Sequence, residues 1–257
     1  MIARTLLAYC CWLFALSLFY GDALSKPQDR PALASINVAV ASNFSNTAAE
    51  LVDVFEQQTS INTQLRIGST GKLASQIQFG LDVDVFLAAD VKRPKYLIDN
   101  GFVPTNEGVV YAHGRLVLWS PVDDLKLNKS ALESLSLKRV AIANSRLAPY
   151  GTAARQAMVS LGVDASLKDK LVYAESVSQA LQFARSENVD LAFIANSQFL
   201  ALNSGSGWLL PESLHEPIKQ QAVQLSTRKF ATMFMQFLSS DVAREIISKH
   251  GYQVPND

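Results

Sequence analysis

A predicted βα unit begins at Ile36-Asn-Val-Ala-Val-Ala-Ser-Asn-Phe44. Its first six residues, through Ala41, are mostly β-branched or small and apolar, which predicts a buried strand. Ser42-Asn43 predicts a tight turn, and residues 45–57 then place apolar side chains at helical spacing, namely Ala48, Leu51, Val52 and Phe55. A strand, a short turn and a helix in this order are typical of proteins with parallel sheets.

The same alternation continues along the chain. Further strands are predicted at 63–67, 83–88, 115–120, 138–143, 171–173, 190–195 and 221–225, and helices at 72–79, 91–100, 152–161, 178–186 and 241–250. Residues 203–207 are rich in Gly and Ser and are predicted to form a loop. The pattern predicts an α/β fold in which mostly parallel sheets are flanked by helices.

Two lobes are expected from the number of strands. We assign residues 36–116 and 221–257 to lobe I and residues 117–220 to lobe II. This assignment requires the two terminal helices to return to the first lobe, so that the chain crosses between the lobes twice.

The N-terminus predicts a signal peptide over residues 1–25. Arg4 precedes a short apolar run, and Ala23-Leu24-Ser25 offers a cleavage site. An uncleaved membrane anchor is the alternative. Cys10 and Cys11 are the two cysteines of the chain, so the mature protein would contain neither a thiol nor a disulfide.

The charges of the chain balance. It contains 23 Lys and Arg residues and 23 Asp and Glu residues. This balance argues against a nucleic-acid-binding protein, which would be expected to carry a basic stripe. Any anion that the protein binds must therefore be held by local groups.

Four turns share small polar or hydroxyl residues between a strand and the start of a helix. They are Ser42-Asn43, Gly68-Ser-Thr-Gly71, Ala148-Pro-Tyr-Gly151 and Glu175-Ser-Val177. A helix start has unpaired N–H groups and the positive end of the helix dipole, so each turn is a candidate anion site. The alternative for each turn is ordinary helix N-capping.

Catalytic motifs are missing from the sequence. Gly68-Ser-Thr-Gly-Lys72 has too few residues between its glycines for a phosphate-binding Walker loop. His113, His215 and His250 are far apart and lack metal-ligand spacing, and no Gly-x-Ser-x-Gly motif occurs. These observations favour a binding protein over an enzyme, although a secreted hydrolase remains a second class to consider.

Six segments in order along the chain resemble one family. They are Val38–Phe44 (VAVASNF), Gly68–Ile77 (GSTGKLASQI), Val83–Asp90 (VDVFLAAD), Leu147–Ala154 (LAPYGTAA), Ala174–Leu181 (AESVSQAL) and Asp190–Ser197 (DLAFIANS). The chain resembles the periplasmic molybdate-binding proteins of ABC importers from about Ile36 to Val254. The resemblance implies a type II periplasmic binding protein, with the ligand cleft between two lobes.

The resemblance also implies a ligand and a set of donors. The ligand would be molybdate or tungstate, with no cofactor, no bound metal cation and no catalytic activity. Its donors would be Ser42 and Asn43, the hydroxyl of Ser69 or Thr70, and the backbone at Tyr150 and Val177. The protein would act as a monomer in the periplasm and deliver the anion to an inner-membrane permease.

Four positions bear on this expectation. One branch of the family has a tyrosine hydroxyl at the position that Ala195 occupies here, so a donor is lost and another tetrahedral oxyanion, sulfate or phosphate, stays open as the ligand. Lys72 either points into the cleft or lies on the solvated face of its helix, and the second orientation is favoured. Asp84 and Asp90 are expected to be structural, because a carboxylate would repel a dianion.

Overall fold

The structure is a computed structural model that describes residues 34–255. The predicted signal peptide, with Cys10 and Cys11, lies outside the described residues. In the described part of the chain the strands are β1 (Ser35–Ala41), β2 (Asn62–Gly68), β3 (Val85–Leu87), β4 (Gly108–Gly114), β5 (Leu116–Ser120), β6 (Val140–Ala143), β7 (Leu171–Ala174), β8 (Leu191–Ala195), β9 (Ser206–Leu209) and β10 (Ile218–Gln224).

The helices follow most of these strands. They are α1 (Ser45–Thr59), α2 (Thr70–Gln78), α3 (Lys92–Asp99), α4 (Lys129–Glu133), α5 (Pro149–Leu161), α6 (Asp164–Leu167), α7 (Val177–Arg185), α8 (Asn196–Leu200), α9 (Lys229–Leu238) and α10 (Asp241–Lys249). Short 3-10 turns lie at Ser42–Phe44, Lys168–Lys170 and Glu212–Leu214.

The strands form two five-stranded sheets, each the centre of one lobe. Their orders are β2-β1-β3-β10-β4 in the first lobe and β7-β6-β8-β5-β9 in the second. The two-lobe α/β prediction is confirmed. The sheets are mixed rather than mostly parallel, because β10 runs antiparallel to β3 and β4, and β5 runs antiparallel to β8 and β9.

The apolar run of β1 is buried on both faces of its sheet. Val38 and Val40 belong to a core that includes residues of α1, α9 and α10, whereas Ala39 between them belongs to a core with α2 and α3. In β3, Phe86 lies in the same core as Ala39. Successive side chains of a strand point to opposite faces, so a sheet covered on both sides requires an unbroken apolar sequence.

The two crossings between the lobes lie beside β4 and β10. The chain leaves the first sheet after Gly114 and enters the second at Leu116, and it returns between Leu209 and Ile218. The last two helices then pack against α1 of the first lobe. The returning strand begins at Ile218 instead of 221, so it is three residues longer at its start than the sequence pattern indicates.

Several element boundaries differ from the predictions. Ser206 and Gly207, predicted to lie in a loop, belong to β9, which pairs with β5. Strand β4 was not predicted, since its sequence contains two glycines and a histidine. Helices α2 and α5 begin two and three residues earlier than predicted, because Thr70 and Pro149 already form their first turns. Proline suits the first turn of a helix, where its missing N–H has no partner to lose.

Between residues 34 and 255, no helix is long and apolar enough to cross a bilayer.

Asp84 is a buried carboxylate that links β1 to the segment after β10 in the first lobe. Its side chain is 2% exposed and accepts hydrogen bonds from Asn37 N at 2.9 Å, Ser226 Oγ at 2.6 Å and Arg228 Nη1 at 3.1 Å. These partners come from β1 and from the segment after β10. The expectation that Asp84 is structural agrees with these contacts.

We predict that Asp84→Ala lowers the free energy of unfolding by about 2–3 kcal/mol, because it leaves a buried N–H and an Arg without their charged acceptor. Urea unfolding followed by circular dichroism measures this change. The control is Asp99→Ala, which removes an exposed ion pair with Lys95 and should cost less than about 1 kcal/mol. Equal losses in the two variants would contradict the role given to Asp84.

Candidate functional site

The first predicted turn lies at the boundary between the lobes. Ser42 and Asn43 are buried in the 3-10 turn that joins β1 to α1. The carbonyl of Ser42 accepts the Ser178 hydroxyl at 3.0 Å, and the carbonyl of Asn43 accepts the Ser197 hydroxyl at 2.9 Å. Both hydroxyls come from the second lobe. In a helical turn the carbonyls point toward its end, so the N–H groups of Ser42 and Asn43 point toward its start, where a helix lacks internal partners.

The side chain of Asn43 is committed to contacts inside the protein. Its Nδ2 donates to Gln220 Oε1 at 2.9 Å and to Tyr252 Oη at 3.0 Å. An amide nitrogen has two protons, and both are used here. Asn43 is therefore left with its backbone N–H as the group that could bind a ligand.

The second turn contains two hydroxyls in different environments. Thr70 Oγ1 accepts the Ala89 N–H at 3.1 Å. Ser69 stands at the N-cap of α2 but makes no capping bond, and its buried Oγ has no hydrogen-bond partner among residues 34–255. A buried polar atom without a partner is costly and rare in folded proteins. Ser69 is thus the unpaired hydroxyl of the two, and ordinary capping does not explain it.

The second turn contacts the second lobe directly. Gly71 N donates to Leu147 O at 2.7 Å. Lys72 Nζ lies 2.6 Å from Glu175 Oε1, in an ion pair whose side chains are 51% and 46% exposed. Lys72 is half-exposed, as expected for the solvated face of its helix, yet its ammonium group pairs with a residue of the second lobe, so neither expected orientation describes it fully. Ser69, Lys72 and Glu175 line one groove of about 660 Å³ between the lobes.

The third turn offers one free N–H group. Pro149 has no N–H, and Gly151 N donates to Ala148 O at 3.0 Å, which leaves the N–H of Tyr150 in the first turn of α5. A side chain at Gly151 would place its Cβ 2.0 Å from the carbonyl oxygen of Ala143. Glycine therefore lets the start of α5 lie directly against the end of β6.

The side chain of Tyr150 is buried beside Gly114. A Cβ at Gly114 would lie 2.2 Å from Tyr150 Oη, and this hydroxyl has no hydrogen-bond partner in the described part of the chain. Burial raises the pKa of Tyr150 well above its usual value, Tyr252 and Tyr111 raise it further, and the amide of Asn43 opposes them. The phenol is consequently neutral at physiological pH and adds no negative charge to the site.

The fourth turn combines a cap with free N–H groups. Ser176 caps α7 by accepting the N–H of Gln179 at 3.2 Å. The N–H groups of Val177 and Ser178 lie between them, in the first turn, where a helix supplies no carbonyl partner. For Ser176 itself the capping interpretation is therefore confirmed.

The structure brings the four turns to one boundary. Ala41 and Ala89, next to the first two turns, share a buried cluster with Ala148, Tyr150 and Val177 of the second lobe. The six predicted residues Ser42, Asn43, Ser69, Thr70, Tyr150 and Val177 are all buried. Of these six residues, Ser69 also lines the groove between the lobes.

The sequence model of one protein family, the bacterial extracellular solute-binding proteins, matches residues 36–253. The chain belongs to this family. The molybdate-binding proteins ModA of Rhodobacter capsulatus and Azotobacter vinelandii are each 39% identical to it, over 93% and 85% of this chain and 94% and 90% of their own lengths.

Solved structures agree with this membership of the solute-binding proteins. The periplasmic molybdate-binding protein of Azotobacter vinelandii matches with a TM-score of 0.82 at 35% identity, and the match covers 86% of this chain and 100% of that one. The sulfate-binding protein SubI of Mycobacterium tuberculosis matches with a TM-score of 0.73 at 11% identity, over 87% of this chain and 88% of that one. The second likeness concerns the fold alone.

Charged groups near the turns of this solute-binding protein are paired with one another. Asp90, beside the second turn, accepts the N–H of Arg93 at 3.0 Å and forms an ion pair with its guanidinium. Away from the turns, His250 at the end of α10 contacts Glu50 of α1 at 2.7 Å. Within residues 34–255, no three His, Cys, Asp or Glu side chains are grouped to hold a metal ion.

Sequence reasoning missed several polar residues at the boundary. Ser178, Ser197 and Gln220 contact the first turn or its side chain, and Tyr252 contacts it from beyond the last helix. Ser178 and Ser197 lie inside segments that carried the family resemblance, so their position in the sequence could have identified them as candidate site residues. Ala195 ends β8 as a buried residue without a hydroxyl. Two residues later, Ser197 supplies a hydroxyl to the same boundary.

The buried tyrosines predict a loss of stability at alkaline pH. Burial raises the pKa of Tyr252 from 10.0 to about 12, against the hydrogen bonds from Ser197 and Asn43. Since the folded pKa is the higher one, this stabilisation is present below pH 10 and is lost as the pH rises toward 12. The expected loss is up to about 1.4 kcal/mol per pH unit for such a group.

Urea unfolding between about pH 9 and pH 11.5 measures this loss, with Tyr252→Phe as the test and Tyr96→Phe, at a half-exposed position, as the control. We expect a shallower pH dependence in Tyr252→Phe and an unchanged one in Tyr96→Phe. An unchanged pH dependence in Tyr252→Phe would contradict the pKa shift.

Proposed function

We propose that this solute-binding protein captures molybdate or tungstate and delivers it to the permease of an ABC importer. The main supporting observation is the buried, unpartnered hydroxyl of Ser69 at a boundary where three other helical turns present their N–H ends. The identity of 39% to two ModA proteins, over most of their lengths, supports the choice of anion.

The proposed ligand set consists of neutral donors. It comprises the N–H groups of Ser42, Asn43, Tyr150 and Val177, with the hydroxyls of Ser42 and Ser69. Thr70 belongs to the proposed site because it is the first residue of α2. Its hydroxyl accepts the Ala89 N–H. Hydrogen bonds to a charged group contribute about 1.5–3 kcal/mol each, so five or six of them can offset the cost of association and give micromolar or tighter binding.

The donor set favours an anion that carries no proton. Backbone N–H groups only donate, and a protonated phosphate oxygen requires an acceptor. Molybdate, tungstate and sulfate are unprotonated near neutral pH, whereas part of the phosphate is protonated. Sulfate is therefore the stronger of the alternative ligands, and the shared fold of SubI is the observation in its favour.

The remaining parts of the proposal follow from this role. We propose that the protein acts as a monomer in the periplasm after removal of residues 1–25, and that it requires no cofactor and catalyses no reaction. Residues 36–116 and 221–257 would move as lobe I and residues 117–220 as lobe II. Hydrogen bonds such as Gly71 N to Leu147 O would then form when the cleft closes on the anion.

Calorimetric titration of the mature protein with four oxyanions tests the proposed function. We expect micromolar or tighter binding of molybdate and tungstate, and binding of sulfate and phosphate that is at least about ten-fold weaker. Binding of sulfate or phosphate alone would contradict the assignment.

Ser69→Ala should weaken molybdate binding by about ten-fold or more, since it removes one hydrogen bond to a charged ligand. Its thermal stability should be equal to or above that of the wild type, because the hydroxyl has no protein partner to lose. Ser75→Ala, at an exposed position of the same helix, is the matched control and should bind normally. Normal binding by Ser69→Ala would remove this residue from the site.

The Lys72–Glu175 ion pair should favour the closed cleft. An exposed pair contributes about 0.2–1 kcal/mol, so Glu175→Gln is expected to weaken molybdate binding by about two- to five-fold at low salt, and by less at 1 M NaCl. Simple repulsion between Glu175 and the anion would have the opposite effect, and tighter binding would contradict the prediction. Lys95→Ala breaks a pair within α3 and serves as the control.

A further inference from the structure

Tyr252 lies more than two hundred residues from Asn43 in sequence but makes two contacts with it. Its phenol is buried after the last helix, where Oη donates to the carbonyl oxygen of Asn43 at 2.8 Å and accepts Asn43 Nδ2 at 3.0 Å. Ser197 Oγ lies 2.8 Å from the same phenol oxygen. None of these groups is exposed to solvent that could replace them.

Two hydroxyl protons serve three short oxygen–oxygen contacts in this network, because Ser197 Oγ, Tyr252 Oη and the Asn43 carbonyl oxygen all lie within 2.9 Å of one another. The hydroxyls of Tyr252 and Ser197 each have one proton, and both lie within 2.9 Å of the Asn43 carbonyl, which has two lone pairs. Asn43 Nδ2 uses its two protons on Tyr252 and Gln220. Asn43 is therefore held at its backbone carbonyl and at its side chain simultaneously.

The position of the phenol is itself fixed. Gly251 has a φ of +80°, and a Cβ there would lie 2.4 Å from Leu200, so the chain turns tightly just before Tyr252. The next residue, Gln253, exchanges two backbone hydrogen bonds with His113, at 2.7 and 3.1 Å. The Tyr252 ring packs edge-on against Phe44 at 5.1 Å. These contacts fix the Tyr252 phenol and the turn at Gly251 relative to each other.

Ser197 connects this unit to the second lobe. It follows β8, and its neighbour Asn196 donates from its backbone to Arg115 O at 2.9 Å and from its side chain to Gly251 O at 3.1 Å. Arg115 lies where the chain crosses between the lobes. The orientation of the Asn43 peptide therefore depends on groups from both lobes.

We propose that Tyr252 is a positioning residue for the oxyanion site: it holds the carbonyl and the side-chain amide of Asn43, and so fixes this residue in the 42–44 turn. The Asn43 carbonyl belongs to the peptide with Phe44, so Tyr252 acts on the N–H groups of Ser42 and Asn43 through the backbone of the turn. This inference rests on the proposed function. Hydrogen bonds weaken steeply as their angle departs from linear, so a small rotation of the turn would cost both donors. The phenol itself does not contact the anion.

Tyr252→Phe removes the hydroxyl and keeps the ring, and Tyr111→Phe is the matched control. Tyr111 is equally buried and packs against Phe44 at 4.9 Å, but its hydroxyl bonds Ala88 O and Gln220 Oε1, so it reaches Asn43 only through Gln220. We expect Tyr252→Phe to bind molybdate about ten-fold more weakly than the wild type, and Tyr111→Phe to stay within about three-fold. The free energy of unfolding of both ligand-free variants is measured alongside. We expect the two variants to lose a similar amount of it.

Two results would overturn the proposal while leaving the proposed function intact. One is wild-type affinity in Tyr252→Phe, and the other is an equal loss of affinity in both variants, which would indicate a general effect of lost stability. Failure of the wild type to bind any oxyanion would instead refute the proposed function.

Ser197→Ala gives a second test that does not depend on the folding of Tyr252→Phe. It removes the other hydroxyl on the Asn43 carbonyl and should weaken molybdate binding by about three- to ten-fold. The double variant should lose less than the product of the two single losses, because both hydroxyls act on one carbonyl. Unchanged affinity in Ser197→Ala, or strict additivity, would count against the shared network.

Discussion

Unpaired N–H groups at the starts of helices are the constraint on which the rest of this structure depends. Each α-helix leaves its first N–H groups without internal partners, and the positive end of its dipole lies there. Because β1, β2 and β3 run parallel, the turns that follow β1 and β2 emerge at the same edge of the first sheet. The parallel strands β6, β7 and β8 do the same in the second. The lobes meet along these two edges, so the donors face one region.

Such a region suits an occupant that accepts hydrogen bonds. Most buried polar groups in proteins are satisfied internally, and three of the seven unpartnered side-chain atoms of the described residues, Ser69 Oγ, Tyr150 Oη and Gln220 Nε2, lie at or near this boundary. A protein with unsatisfied buried donors is less stable without its ligand than a protein whose buried donors are all paired. Violations of this kind concentrate at functional sites, where the ligand restores the balance.

The sequence predicted the local parts of this arrangement and missed the long-range ones. Ser42 directly follows a predicted strand and Ser69 follows one after Gly68, so their position near a helix start could be inferred from spacing alone. The different surroundings of Ser69 and Thr70 could not, because the Thr70 hydroxyl accepts the N–H of Ala89, which follows another strand. No sequence pattern identified Tyr252 as a partner of Asn43, because their contact exists only after the C-terminal segment returns to pair with His113.

Diffraction from crystals of the mature protein grown with tungstate tests the central claim most directly, because anomalous scattering locates the tungsten atom without reference to the protein. The account predicts one tungsten site between the lobes, whose oxygens lie about 2.7–3.2 Å from Ser69 Oγ and from the N–H groups of Tyr150 and Val177. Tungsten held by lysine or arginine side chains on the surface, with those donors unoccupied, would contradict it.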